Sequence, residues 1–207
     1  MLYLVTNRKL IGKNNIYNII QDATEAGIDA VILREKDLSS DELYQMGMYI
    51  KKILSKNNIP LIINSNIEVA NRLNASGIQV SFVDFLNKNI NFNGKIGVSI
   101  HSINEAILSE RLGASYVLAG HIFNTTCKPN LDPKGIDFIR ELRKNIDIPI
   151  ICIGGINKYN IRKVYESGAS GAAVMSLIMQ AENVSKTVKE LKGALYNENS
   201  INDSWIG

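Results

Sequence analysis

Cysteine, histidine and tryptophan are scarce in this chain of 207 residues, which contains two cysteines, two histidines and one tryptophan. Cys127 and Cys152 lie far apart and outside any C-x-x-C pattern, so neither a disulfide framework nor a zinc site is predicted. There is no H-E-x-x-H motif and no arrangement that resembles a Ser-His-Asp triad. From these residues we expect no bound metal or other cofactor.

Long apolar runs and dense blocks of charge are also missing. No apolar run approaches the ~18 residues needed to cross a bilayer, and the apolar stretch at the start is too short for a signal peptide. The net charge of +3 comes from scattered Lys and Arg, not from a block that would neutralise neighbouring phosphates. We therefore expect a cytoplasmic protein that binds neither membranes nor nucleic acid.

What the chain does have is a regular alternation of two patterns. Short apolar runs rich in β-branched residues recur about eight times, and each is followed by a stretch with helical periodicity. The predicted strands are residues 3–6, 30–33, 60–64, 77–81, 95–100, 116–123, 148–153 and 171–175. Such alternation implies parallel strands with right-handed crossovers, and eight units favour a closed (β/α)₈ TIM barrel over an open doubly wound sheet.

The barrel is expected to form a single α/β domain over residues 1–195. Between Ser81 and Lys95 the chain is too short and too rich in Asn for a full helix, so we expect a single turn or a loop there. The C-terminal tail, residues 196–207, contains Trp205 and is expected to be a loosely held extension; the alternative is a role in capping the barrel or in binding a partner.

Polar residues lie where the predicted strands end, which is where barrels of this kind carry their working side chains. Loops after strands seven and eight often hold phosphate, so the pair Gly154-Gly155 together with Met175 and Ser176 predicts a phosphate site; a plain turn is the alternative. The other candidates at strand ends are Asn64, Ser99 and Thr125.

Arg34 and Lys36 are one residue apart, so from an extended segment they point the same way and could face one anion. The alternative is that they pair at the rim with Glu35, Asp37 or a helix end. Lys128, in the long loop after strand six, has the same two interpretations.

The two histidines follow neighbouring predicted strands, five and six. Imidazole can take and give a proton near neutral pH, as a reaction that moves a hydrogen between carbons requires. We favour proton transfer for His121 over a structural hydrogen bond. For His101 we favour the reverse, a role in orienting its neighbours.

Six ordered motifs carry a resemblance: Leu33-Arg34-Glu35-Lys36, Ile62-Ile63-Asn64, Gly97-Val98-Ser99-x-His101-Ser102, Gly120-x-Ile122-Phe123-x-Thr125-x-x-Lys128, Ile153-Gly154-Gly155-Ile156 and Ala173-Val174-Met175-Ser176. Up to about residue 195, the chain resembles the thiamine phosphate synthase and TenI superfamily. The resemblance implies a (β/α)₈ barrel with one of two activities. One is an Mg²⁺-dependent synthase that joins a pyrimidine methyl diphosphate to a thiazole phosphate. The other is a thiazole tautomerase that aromatises a carboxythiazole phosphate.

Several positions discriminate between these two activities. Ile32 and Ser65 stand where the synthases have Gln and Asp, and a single remaining carboxylate, Asp84, would hold Mg²⁺ poorly. The run from Gly120 to Lys128 resembles the tautomerase branch, and His121 matches its proton-transfer histidine. We therefore expect a thiazole tautomerase, an isomerase that moves protons at C2 and the exocyclic carbon of a small phosphorylated thiazole, with Mg²⁺ needed only if the chain is a synthase.

The resemblance also implies how substrate is held. The phosphate would be bound by Gly154, Gly155, Met175 and Ser176, and the substrate carboxylate would face Arg34, Lys36 or Lys128. Two other functions stay open: a thiamine phosphate synthase, and a non-catalytic regulator that binds a thiamine-pathway phosphate. Because small barrels often pair, a homodimer is an open alternative to a monomer.

Overall fold

The computed structural model describes residues 1–125 and 131–195. Cys127, Lys128 and the tail from residue 196, which includes Trp205, lie outside the described residues. The predictions made for them, including the domain boundary at residue 195, therefore stay predictions.

Eight parallel strands form a closed barrel in which each strand pairs with its neighbours in chain order and β1 pairs with β8. The strands are β1 (Leu2–Val5), β2 (Ala30–Leu33), β3 (Leu61–Asn64), β4 (Gly77–Ser81), β5 (Lys95–Ile100), β6 (Tyr116–Gly120), β7 (Ile150–Ile153) and β8 (Gly171–Val174). The predicted (β/α)₈ barrel is confirmed.

Helices connect the strands. They are α1 (Ile16–Glu25), α2 (Ser40–Ser55), α3 (Ile67–Arg72), α4 (Phe82–Asn87), α5 (Ile103–Arg111), α6 (Gly135–Asn145), α7 (Ile161–Glu166), α8 (Ser176–Met179) and α9 (Val184–Gly193). A short 3₁₀ turn, Arg8–Leu10, follows β1. In the described part of the chain, no helix has the length and apolar character that crossing a membrane requires.

The apolar residues of the strands belong to two hydrophobic cores. Those that point outward pack under the helices, for example Leu4, Val31 and Ile63. Those that point inward, including Tyr3, Tyr116 and Ile151, fill the barrel. Burial on both faces explains why the strands read as nearly continuous apolar runs.

The segment after β4 differs from expectation, because it forms the six-residue helix α4 where we expected a single turn or a loop. Ser81 begins this helix, since its hydroxyl accepts a hydrogen bond from the backbone N–H of Asp84 at 3.0 Å. Such an N-cap satisfies a helix donor that would otherwise have no partner. The expectation was based only on the short length and Asn content of the segment, and the N-cap at Ser81 was not considered.

Candidate active site at the carboxyl ends of the strands

A cavity of about 930 Å³ opens at the carboxyl ends of the strands, and all eight strands contribute to its wall. Every predicted site residue that the structure describes lines it: Arg34, Lys36, Asn64, Ser99, His101, His121, Thr125, Gly154, Gly155, Met175 and Ser176. Parallel strands bring their ends to one face of a barrel, so residues far apart in the chain meet there. Lys128 lies outside the described residues.

The backbone after β7 takes a conformation that requires glycine. Gly154 has a φ of 102° and Gly155 a φ of 66°, in the left-handed region that other residues rarely adopt. A side chain at Gly154 would overlap the Cβ atom of His121, and one at Gly155 would overlap the carbonyl oxygen of Asn124. The glycine pair therefore lets the main chain come close to whatever occupies the cavity.

Free backbone donors lie beside this glycine pair. Among residues 1–125 and 131–195, the N–H groups of Gly155, Ser176 and Leu177 find no protein acceptor, although all three residues line the cavity. Backbone N–H groups without partners attract anions. The arrangement suits a phosphate group between β7 and β8.

Two cationic side chains in the loop after β2 line the cavity. Arg34 and Lys36 both line it, and neither forms an ion pair with any described residue. The neighbouring carboxylates, Glu35 and Asp37, instead contact Arg8 in the turn after β1. Among the described residues, neither Glu35 nor Asp37 thus forms an ion pair with these two cations.

The pKa of the Asp37 carboxyl group is held well below its ordinary value, chiefly by the Arg8 guanidinium and then by Lys9. No Asp or Glu in the described part of the chain lines the cavity. Its charged side chains are thus cationic, which favours anionic ligands.

Each histidine contacts a backbone carbonyl. The Nδ1 atom of His101 lies 2.8 Å from the carbonyl oxygen of Gly120, and the Nε2 atom of His121 lies 3.1 Å from that of Leu131. A carbonyl only accepts, so in each ring the bonded nitrogen carries the hydrogen. His121 is also 6% exposed, so its imidazole lies mostly within the cavity wall.

Polar side chains line the wall formed by β3 to β5. The amide of Asn64 donates to Ser65 at 2.9 Å, and the amide of Gln79 donates to Ser99 at 2.9 Å. Gln79 was missed in the sequence analysis, as was Gln180, which also lines the cavity. Gln79 could have been found from the alternation of side chains in β4, because it lies two residues before Ser81 and so shares its face.

Known proteins resemble this chain in both sequence and structure. A family model described as thiamine monophosphate synthase matches residues 2–178. The chain belongs to this family.

Several known proteins match this member of the thiamine monophosphate synthase family over most of its length. It is 39% identical over 187 residues to the thiamine-phosphate synthase of Clostridium acetobutylicum, covering 88% of this chain and 89% of that protein. It is 38% identical over 201 residues to the thiamine-phosphate synthase of Clostridium tetani, covering 95% and 96%. The solved structure of thiamine phosphate pyrophosphorylase from Pyrococcus furiosus is 31% identical, with a TM-score of 0.84 and 94% of each chain covered.

These relatives correct the predicted activity. Curated proteins that match this family member over most of its length are named thiamine-phosphate synthase, so the prediction of a thiazole tautomerase, an isomerase, is wrong. The prediction relied on a few positions around His121, Ile32 and Ser65, whereas the likeness to the synthases runs through most of the chain. In the structure, the His121 imidazole makes the backbone hydrogen bond that was the alternative to proton transfer.

The resemblance to the synthases implies Mg²⁺, which the described residues do not fit. The Asp84 carboxylate accepts from Ser81 at 2.9 Å and pairs with Lys88 at 2.8 Å, and Asp84 does not line the cavity. Within residues 1–125 and 131–195, no group of three or more His, Cys, Asp or Glu side chains could hold a metal ion. Hard dications need several oxygen ligands, and this wall offers no carboxylate from the described part of the chain.

Proposed function

We propose that this chain is a thiamine-phosphate synthase, a transferase that joins a pyrimidine methyl diphosphate to a phosphorylated thiazole. The family and the names of its relatives support this assignment. So does the presence in one cavity of two anion-binding groups on different strand ends. The cations Arg34 and Lys36 follow β2, whereas the glycine pair and Ser176 lie at β7 and β8.

The two-site arrangement is the observation that carries the proposal. A reaction between a diphosphate and a monophosphate needs two anion-binding sites that open into the same cavity. Gly155 and Ser176 would hold the thiazole phosphate through backbone N–H groups. Arg34 and Lys36 would bind the diphosphate, because guanidinium and ammonium groups suit phosphate oxygens.

The chemistry is a substitution at the methylene carbon of the pyrimidine. The C–N bond to the thiazole nitrogen forms as the C–O bond to diphosphate breaks, and the electron pair of that C–O bond leaves with the diphosphate. Cations placed where this charge grows stabilise the transition state. The apolar wall of Ile32 and Leu118 would pack against the rings and exclude water from the reacting carbon.

The test is direct synthesis. The protein is incubated with both substrates, with and without Mg²⁺, and thiamine phosphate and diphosphate are quantified by chromatography. We expect the two products in equal amounts. No product at high enzyme concentration under either condition would reject the proposal.

An Arg34→Met variant tests the diphosphate site, and we expect kcat/KM to fall by about tenfold or more because a charge-assisted contact is lost. Arg140→Met is the matched control, since Arg140 lies on the surface of α6, pairs with Asp137 and does not line the cavity. Equal loss in both variants would mean that the effect comes from general destabilisation.

A further inference from the structure

The charged residues that follow β2 face two different sides. Arg34 and Lys36 line the cavity, whereas Glu35 and Asp37 contact Arg8 and do not line it. Each cation is thus next in the chain to a carboxylate that could neutralise it. For the cations to bind an anionic ligand, the two carboxylates must be kept away from them.

Arg8 makes the contacts that could do this. Its Nη1 and Nη2 atoms donate to the two carboxylate oxygens of Asp37 at 2.6 and 2.9 Å, a paired geometry that a guanidinium group provides and an ammonium group does not. Nη1 also lies 3.3 Å from Oε2 of Glu35. The backbone N–H of Arg8 donates to both oxygens of Glu35 at 3.0 and 3.1 Å, and Lys9 adds an ion pair with Asp37 at 3.0 Å.

Burial makes the Glu35 contact important. The Glu35 side chain is 1% exposed, and a carboxylate taken out of water is costly unless a partner compensates its charge. Without the Arg8 side chain, Glu35 would keep the backbone N–H of Arg8 and Asp37 would keep Lys9, but neither would have a guanidinium partner. Both carboxylates would then attract the cations beside them in the chain, Arg34 and Lys36. Those cations would then be less available to an anionic ligand.

We propose that Arg8 is a positioning residue for anion binding. By holding Glu35 and Asp37 away from the cavity, it leaves Arg34 and Lys36 free to bind the phosphate groups of a substrate. Arg8 itself does not line the cavity, so it acts through other residues. The inference rests on the diphosphate site of the proposed function and adds to it a residue outside the site.

The test measures the binding of inorganic diphosphate by calorimetry in EDTA, so that neither turnover nor metal enters the result. In an Arg8→Ala variant we expect the dissociation constant to rise roughly fivefold, because the freed carboxylates compete with diphosphate for the cations. The triple variant Arg8→Ala, Glu35→Gln, Asp37→Asn removes both competing charges. We expect it to bind diphosphate as the parent does, within about twofold.

Arg72→Ala is the matched control. Arg72 also bridges two carboxylates, Asp41 and Glu68, but it lies on α3 and does not line the cavity. We expect its loss to leave diphosphate binding unchanged.

Three outcomes would overturn the inference. In the first, Arg8→Ala binds diphosphate as tightly as the parent. In the second, the triple variant binds as weakly as Arg8→Ala, which would mean that Arg8 acts only by holding the turn. In the third, the parent does not bind diphosphate. If instead the binding series is as expected but no thiamine phosphate is made, the proposed function fails and the inference stands.

Discussion

At the scale of single residues, the glycine pair after β7 decides how closely the main chain approaches a bound anion. Gly154 combines a positive φ with backbone and side-chain atoms of His121 that occupy the place where a Cβ would stand. Gly113, which follows α5, has a φ of 90°, but beyond its chain neighbours no atom of the described residues lies within 4 Å of the place where a Cβ would stand. Substituting Gly113 therefore tests backbone strain alone, whereas substituting Gly154 tests strain together with steric overlap.

We expect Gly154→Ala to cost about 1–3 kcal/mol of unfolding free energy from strain, with an added cost from the overlap with His121, and to weaken phosphate binding. Gly113→Ala carries the strain alone and should leave phosphate binding intact. Urea unfolding and calorimetry with inorganic phosphate measure the two effects. Phosphate binding that survives Gly154→Ala would show that the glycine pair is only a turn.

At the scale of secondary structure, the start of α2 carries a complete capping box. Ser39 accepts from the backbone N–H of Glu42 at 3.3 Å, and the Glu42 carboxylate accepts from the backbone N–H of Ser39 at 2.9 Å and from its hydroxyl at 2.7 Å. These bonds satisfy donors at the helix start that have no partner within the helix. They fix where α2 begins, and with it the end of the loop that carries Arg34 and Lys36.

We expect Ser39→Ala to lower the unfolding free energy by about 1 kcal/mol at neutral pH. Hydrogen bonds from Ser39 lower the pKa of Glu42 in the folded state, so the ionised carboxylate favours folding. That contribution is complete above the unfolded pKa of about 4.3 and is lost as the pH falls through the lower folded pKa. Urea titrations should therefore show a smaller difference between the two proteins at acid pH, where only the N-cap bond from the Glu42 backbone N–H to Ser39 still separates them. A difference that stays constant with pH would contradict this account.

Within the barrel, residues from three neighbouring strands lie in one layer, and the middle residue is a glycine. Gln79 of β4 pairs in register with Gly97 of β5, which pairs in turn with Tyr116 of β6. A side chain at Gly97 would overlap the ring and hydroxyl of Tyr116 and the amide oxygen of Gln79. The glycine therefore makes room for two large inward side chains in the same layer.

We expect Gly97→Ala to lower the unfolding free energy by about 1–3 kcal/mol, since the closed barrel cannot widen to relieve the overlap. Gly193→Ala is the control, because in the described part of the chain a Cβ at this position, at the end of α9, would contact no atom outside its own helix and chain neighbours within 4 Å. Thermal unfolding followed by circular dichroism compares them. Equal unfolding midpoint temperatures for the two variants would show that this layer of the barrel has room for a side chain at Gly97.

At the scale of the whole molecule, the cavity brings together the cations that follow β2 and the free backbone donors that follow β7 and β8. Because no carboxylate in residues 1–125 or 131–195 lines it, its attraction for anions does not depend on a metal held by those residues. The Arg8 contacts with Glu35 and Asp37 preserve this balance of charge.

We expect inorganic phosphate to bind with the same affinity in EDTA and in Mg²⁺, and to bind more weakly as ionic strength rises. Calorimetry under the three conditions measures this. A large gain in phosphate affinity with Mg²⁺ would show that the protein contributes metal ligands that the described residues do not reveal.

Several features of the site followed from local patterns. The residues at strand ends, such as Asn64, Ser99 and Ser176, were predicted because apolar runs show where strands stop, and the structure brings them to one cavity. The helix α4 was missed because only the short length and Asn content of the segment were considered, and the N-cap at Ser81 was not. The activity was misjudged because a few positions around His121 were given more weight than the whole chain.

The sequence by itself determined the barrel, since the alternation of buried strands and amphipathic helices is a local property with one closed parallel solution. Only the tertiary structure decided which charges face the ligand. The pairing of Arg8 with Glu35 joins residues 27 apart, and that of His121 with Leu131 joins residues 10 apart. Such contacts depend on where separate elements meet in space, so no periodicity along the chain encodes them.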